Sequence, residues 1–199
     1  MPKMKREDMV AVFIDHQEGI LMMTPPEERK TLEMHLRFML KGMQALGVPI
    51  VICTNLEAGA GREPLPLFRE IAPDAWESRI QRTGIMDVFD EPAFVERCAA
   101  MGRNSIILSG YTTDAVVVPA AISARDRGLH TYVCMDTSGS PAPLADPVAM
   151  QRLSQIGAAP VTSFGAVNEM VRDMSTPTGI ATMKVIFEQI IYSNENAKL

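Results

Sequence analysis

The chain is short of the residues that build disulfide frameworks, metal centres and membrane spans. It has three cysteines, Cys53, Cys98 and Cys134, in 199 residues. An odd number without metal-ligand spacing supports neither a disulfide scaffold nor a zinc site. Its three histidines, His16, His35 and His130, also lack that spacing, so no metal and no cofactor is expected. No apolar run approaches the roughly 20 residues that cross a bilayer. Basic residues are the minority, 19 against 24 acidic, for a net charge of −5, which leaves no footprint for nucleic acid. A strand signal by Val10 leaves no room for a signal peptide. These deficits together point to a soluble, cytoplasmic protein in a reducing compartment.

What is present suits one α/β domain. A chain of this length buries roughly 70% of its unfolded surface and needs no staple. Short β-branched runs at 10–14, 50–54, 104–108 and 130–135, with weaker ones near 78–81 and 160–162, alternate with helical patterns at 29–46, 91–101, 113–127, 148–156 and 164–173. Leu32, Leu36, Met39, Leu40 and Met43 recur at helical spacing, and Gly47 stops that helix. Pro119 falls inside the 113–127 pattern and predicts a kink there or the true first turn. The segment 58–66 reads as a Gly/Pro-rich loop. Six apolar strands separated by helices imply a three-layer α/β/α fold with a six-stranded parallel, Rossmann-like sheet. Residues 1–175 are assigned to that domain.

The remainder, 176–199, reads as a helical tail. Ile180, Met183, Phe187 and Ile190/Ile191 form an apolar stripe over 178–194, which predicts a contact between copies in a homo-oligomer.

Ligands of a parallel sheet sit beyond the carboxyl ends of its strands. Asp15 closes the first strand, where burial would raise a carboxyl pKa toward the range of a general acid or base. On position alone it is more often a loop anchor. Arg82 follows the short third strand and offers a permanent bidentate cation. By itself a surface arginine is the plainer reading. The turn Gly110-Tyr111-Thr112-Thr113-Asp114 enters a helix whose N–H groups can hold an anion, although Thr113 also suits a helix cap.

Taken together, Val12-Phe13-Ile14-Asp15-His16-Gln17, Arg82-Thr83-Gly84 and Ser109 to Val117 resemble the three signature regions of the isochorismatase-like (cysteine hydrolase) superfamily. Residues 125–128 and 133–139 are similar to its next helix and strand, and the resemblance runs from Val10 to Asp173. Asp15-His16-Gln17, Glu57/Gly59, Arg82 and the long tail resemble its YcaC-like branch most. The resemblance implies catalytic roles for Asp15 and Arg82. It also implies a cis peptide at Tyr111–Thr112, with the N–H groups of Thr112 and residue 116 turned toward an oxyanion. Tyr111, Thr112, Thr113, Gln17, Asn55 and Glu57 would line the oxyanion and substrate site.

Residue 116, where the family has its nucleophilic cysteine, is valine, and valine cannot attack a carbonyl. Cys53 and Cys134 read as buried apolar residues. Two readings therefore stand. One is a family hydrolase acting on a small anionic molecule through Asp15 acid/base chemistry without a cysteine, vinyl-ether hydrolysis included. The other is a non-catalytic small-molecule binder or assembly subunit of the same fold.

Overall fold

The structure, a computed structural model, describes residues 2–191. Residues 192–194 of the expected tail helix, and the side chains of Ile190 and Ile191, lie outside the described portion. Six strands, β1 (Met9–Ile14), β2 (Ile50–Asn55), β3 (Ile80–Arg82), β4 (Ser105–Gly110), β5 (His130–Cys134) and β6 (Ala159–Val161), form one sheet in the order β3-β2-β1-β4-β5-β6. Every pairing is parallel. The expected three-layer α/β/α architecture is therefore present.

β1 shows why the strands carry no polar alternation. Met9, Ala11 and Phe13 enter one core, whereas Val10, Val12 and Ile14 enter the other. Successive side chains point to opposite faces, and each face is covered. The first core is closed by α1 (Pro26–Leu46), α2 (Pro66–Ile71), α3 (Pro73–Glu77) and α7 (Ser163–Val171); the second by α4 (Pro92–Met101), α5 (Val118–Asp126) and α6 (Ala145–Gln155). Burying a side chain such as Phe13, 1% exposed, stabilises by roughly 1.5–3 kcal/mol.

Helix ends follow their local chemistry. α1 starts at Pro26, whose missing N–H costs nothing in a first turn, and ends on Gly47 at φ 67°, a left-handed angle that glycine adopts without steric cost. The sequence reading missed α2 and α3, which lie between the glycine-rich loop and β3. Pro66, read as the end of that loop, and Pro73, to which no element was assigned, open these helices. The 113–127 pattern divides into a π-helical turn, Thr113–Val117, and α5, with Pro119 in the first turn of α5.

None of the described helices is long and apolar enough to cross a membrane. The tail forms α8 (Pro177–Ile186), followed by a π-helical turn, Phe187–Ile191. Its packing differs from the simple stripe. Gly179 and Thr182 are buried, Val185 and Ile186 pack on the α1 core, and Ile180, Met183 and Phe187 stay exposed. Ile180 and Met183 thus turn outward rather than seating the helix on its own domain. Large exposed patches of this kind are uncommon on monomers, so a second copy is expected to cover them. Sedimentation of the full chain at micromolar concentration should give a multiple of 21.8 kDa, and Ile180→Asp with Phe187→Asp should shift it toward the monomer. A wild-type monomer would count against this assignment.

Candidate active site

The strand order reverses between β1 and β4, and the crevice beyond such a switch point is where ligands of open parallel sheets sit. Register brings the candidate segments there. Ile14 pairs with Cys53 on one side and Gly110 on the other, and Asn55 pairs with Arg82. The next residue, Asp15, leaves the sheet at φ 58°, a left-handed conformation in which a non-glycine residue carries local strain. Its N–H still bonds to Cys53 O (2.9 Å), so the link to β2 persists one residue past the end of β1.

The Asp15 carboxylate accepts a hydrogen bond from Arg82 Nη2, and the ion pair is almost sealed, with side-chain exposures of 5% and 0%. Burial pushes the Asp15 carboxyl above the usual aspartate range; the charge and hydrogen bond of Arg82 pull it back without cancelling the rise. The rest of the guanidinium is less available than the sequence implied. Nη1 donates to Ile85 O (2.6 Å) and Met86 O (2.7 Å), and Nε is buried without a partner. Arg82 is thus the electrostatic counterpart of Asp15 and not an open fork.

The other expected lining residues divide into two groups. Gln17 and Asn55 hold loops. Gln17 Nε2 donates to Asn55 O (3.0 Å) and Arg62 O (2.6 Å), and Gln17 Oε1 accepts from Asn55 N (2.7 Å). Asn55 Nδ2 donates to Ile85 O (3.1 Å), and its Oδ1 accepts from Gly84 N (2.8 Å). Glu57 lies on a cleft of about 250 Å3 that also touches Arg82 and Thr83. Both of its oxygens are gripped by Arg79, at 2.7 and 3.0 Å, and Arg79 lies over the Trp76 ring. Burial would raise the Glu57 carboxyl, but hydrogen bonds from Arg79 and Thr54 and the Arg79 charge outweigh it and hold it below the usual range. These three side chains are fixed by the protein itself, so they shape the site more than they present free groups to a ligand.

The turn after β4 forms the second group. Tyr111–Thr112 is cis, as the resemblance implied. The Thr112 N–H meets no acceptor among the described residues, whereas Val116 N–H donates to Thr112 O at 3.0 Å. Of the two expected oxyanion donors, one is open and the other is engaged. Thr113 does not cap its helix: its hydroxyl is buried without a partner, and its N–H donates to Gly139 O (2.9 Å) and Ser140 Oγ (3.2 Å). Gly110 has to lack a side chain because a Cβ would lie 2.9 Å from Ile14 O and 2.7 Å from Val117 Cγ2.

Sequence reasoning missed the strip that clamps this turn. Ser138 Oγ accepts from Gly110 N (3.1 Å) and donates to Cys134 O (2.8 Å). Thr137 O accepts from Ser109 Oγ (2.8 Å) and His16 Nε2 (2.8 Å). The signal was available, since residues 135–140 follow β5 at the same sheet edge as Asp15. No group of three or more His, Cys, Asp or Glu suited to a metal exists among the described residues. Cys53 and Cys134 are buried, and burial pushes both thiols well above the usual cysteine range; burial also raises the Cys98 thiol, to about 11.

His16 packs against the Phe13 and Phe68 rings, and burial lowers its pKa from 6.5 to about 4. An imidazole facing a carbonyl must donate, so Nε2 carries the proton and Nδ1 is left bare. The unfolded chain takes up a proton at this histidine near pH 6.5 while the folded one resists, so this stability is full above about 6.5 and is lost as pH falls toward 4. Wild type should lose about 3 kcal/mol more than His16→Gln across that window, measured from urea midpoints. Parallel profiles would refute the assignment.

Comparisons with known proteins bear on the family and the fold. The sequence model of the isochorismatase domain matches residues 9–164. The probable hydrolase YcaC of Escherichia coli K12 is 28% identical over 182 residues, covering 91% of this chain and 86% of that protein. Bovine isochorismatase domain-containing protein 2 is 29% identical over 151 residues, covering 75% and 70%. The crystal structure of E. coli YcaC, described as an octameric hydrolase of unknown specificity, superposes with a TM-score of 0.89 at 26% identity, covering 100% of this chain and 95% of that one.

Proposed function

The chain belongs to the isochorismatase family, and on that premise we propose that it hydrolyses a small anionic molecule with Asp15 as general acid and base and no cysteine nucleophile. The observation that carries this reading is the buried Asp15–Arg82 pair at the switch point, with the Asp15 carboxyl raised by burial. A raised carboxyl holds a proton closer to neutral pH, as a general acid requires. Val116, 3% exposed, supplies packing where a thiol would otherwise act, so the chemistry has to proceed through proton transfer and water.

The pair also gives a reason for an anionic substrate. When Asp15 is ionised, it compensates Arg82. Once Asp15 is protonated, the guanidinium charge is buried and uncompensated, a costly state, and a substrate carboxylate restores neutrality. Anion binding and proton uptake by Asp15 therefore favour each other. On a vinyl ether, Asp15 would deliver its proton to the enol carbon, leaving an oxocarbenium ion. Water would add to that cation and return a proton to Asp15. The resulting hemiketal would collapse to a ketone and an alcohol, with one water consumed. The open Thr112 N–H would hold a substrate oxygen during these steps.

A second reading, a non-catalytic binder of the same fold, draws on one observation: the pair is nearly closed to solvent, at 0% and 5% side-chain exposure. The E. coli relative is described as octameric, and a closed oligomer is proposed here too, which suits either reading.

Isochorismate is the probe. Wild type should consume its vinyl ether at a rate that falls as pH rises through the raised Asp15 pKa. Asp15→Asn should cut turnover by at least about 10²-fold while leaving binding of the anion intact. Undiminished turnover in Asp15→Asn would remove Asp15 from the chemistry. Binding without turnover in wild type, unchanged in Asp15→Asn, would establish the non-catalytic reading.

A further inference from the structure

A second cavity, of about 130 Å3, lies at the other flank of the Tyr111 turn, lined by Thr24, Glu28, Leu32, Tyr111, residues 138–140 and Asp146. Thr24 Oγ1, Tyr111 Oη and Asp146 Oδ1 are shut off from solvent; the two hydroxyls interact with each other, and none of the three has a further partner among the described residues. Tyr111 is 2% exposed. Its ring is pressed against Gly139, where a Cβ would come 3.0 Å from Cε2, so the hydroxyl is held in place. Buried polar atoms are nearly always satisfied, and each one that is not calls for a partner. One hydroxyl–hydroxyl contact leaves lone pairs on both oxygens, and with Asp146 Oδ1 on the same cavity lining they call for a common partner.

The neighbours define its chemistry. Ser138 Oγ and Ser140 Oγ are already engaged with Cys134 O, Gly110 N, Thr113 N and Asp114 Oδ1. No Lys or Arg lines the cavity, whereas Glu28 and Asp146 contribute carboxylates. Both carboxylates sit in first helical turns, of α1 and α6, where the helix dipole offsets part of their charge. The site therefore suits a monocation better than a divalent ion, and calcium would need six to eight oxygens.

We propose that this cavity binds the ammonium group of a small primary amine, its three N–H donors directed to Thr24 Oγ1, Tyr111 Oη and Asp146 Oδ1. An ammonium group has three donors and no acceptor, which matches the free lone pairs left on the two hydroxyls and on Asp146 Oδ1. Glu28 stands at the rim as a further countercharge, and Leu32 faces the alkyl part. The site is separate from the Asp15–Arg82 pair and does not depend on the acid/base reading of that pair.

Methylammonium chloride, titrated into the full-length protein by calorimetry, is the test, with tetramethylammonium, potassium and calcium chlorides as comparators. Saturable methylammonium binding, weakened at least about tenfold by Asp146→Asn and several-fold by Tyr111→Phe, is the expected result. Tetramethylammonium, which has no N–H, should not bind. Thr24→Val removes a third acceptor away from the turn and should weaken binding as Tyr111→Phe does, which separates lost contacts from a disturbed turn. Absence of saturable methylammonium binding would leave the cavity to water and overturn the proposal. Equal binding of tetramethylammonium, preference for potassium or calcium, or indifference to Asp146→Asn would overturn it as well.

Discussion

The organisation of the site depends on one ion pair between Asp15 and Arg82, buried where the sheet changes direction. Taking two charges out of water is costly, and the surroundings must compensate. Here the guanidinium is completed by the carbonyls of Ile85 and Met86, so the same arginine that balances Asp15 also shapes the loop after β3. Removing either partner would leave a lone charge in the protein interior. The pair therefore couples β1, β3 and the following loop into one electrostatic unit, and the left-handed backbone at Asp15 is tolerated because that unit holds it.

Around the pair the protein spends its polar side chains on backbone. Gln17 and Asn55 lock the loops after β1 and β2 to one another, and Ser138 with Thr137 locks the turn after β4 to the segment after β5. Four separate strand ends become a rigid frame. Such a frame limits how far reacting groups wander, which is the main structural requirement for positioning a proton donor.

Much of this was legible in the sequence because it rests on local signals. Apolar strands without alternation declare a sheet covered on both faces, and the rule that ligands sit at strand carboxyl ends selects Asp15, Arg82 and the Gly110–Val116 turn. What escaped depends on long-range pairing. Nothing near Glu57 reveals that Arg79 holds both of its oxygens, and nothing near Arg82 reveals that its fork is already occupied. The helices at Pro66 and Pro73 escaped because proline signals both a loop and a first helical turn. The tail was read as a stripe, but the face that seats inward carries the buried Gly179, close against residues 173–174, and Thr182, with Val185 and Ile186 on the α1 core, a packing choice that helical periodicity alone leaves open.

Gly110 carries a consequence of its own. Its missing side chain lets the end of β1 and the first turn of the following helix approach from opposite sides, with Ile14 O and Val117 Cγ2 both inside the space a Cβ would fill. A methyl group there would act as a wedge between two parts of the molecule that are otherwise each well packed. The strand carrying Asp15 and the turn carrying Thr112 would be forced apart, and the core that holds Ile14 and Val117 would have to give with them. The distance across the crevice is thus set by an atom that is not there, and adding one at position 110 would widen the site and cost stability together, because the atoms it meets are a backbone oxygen and a core side chain.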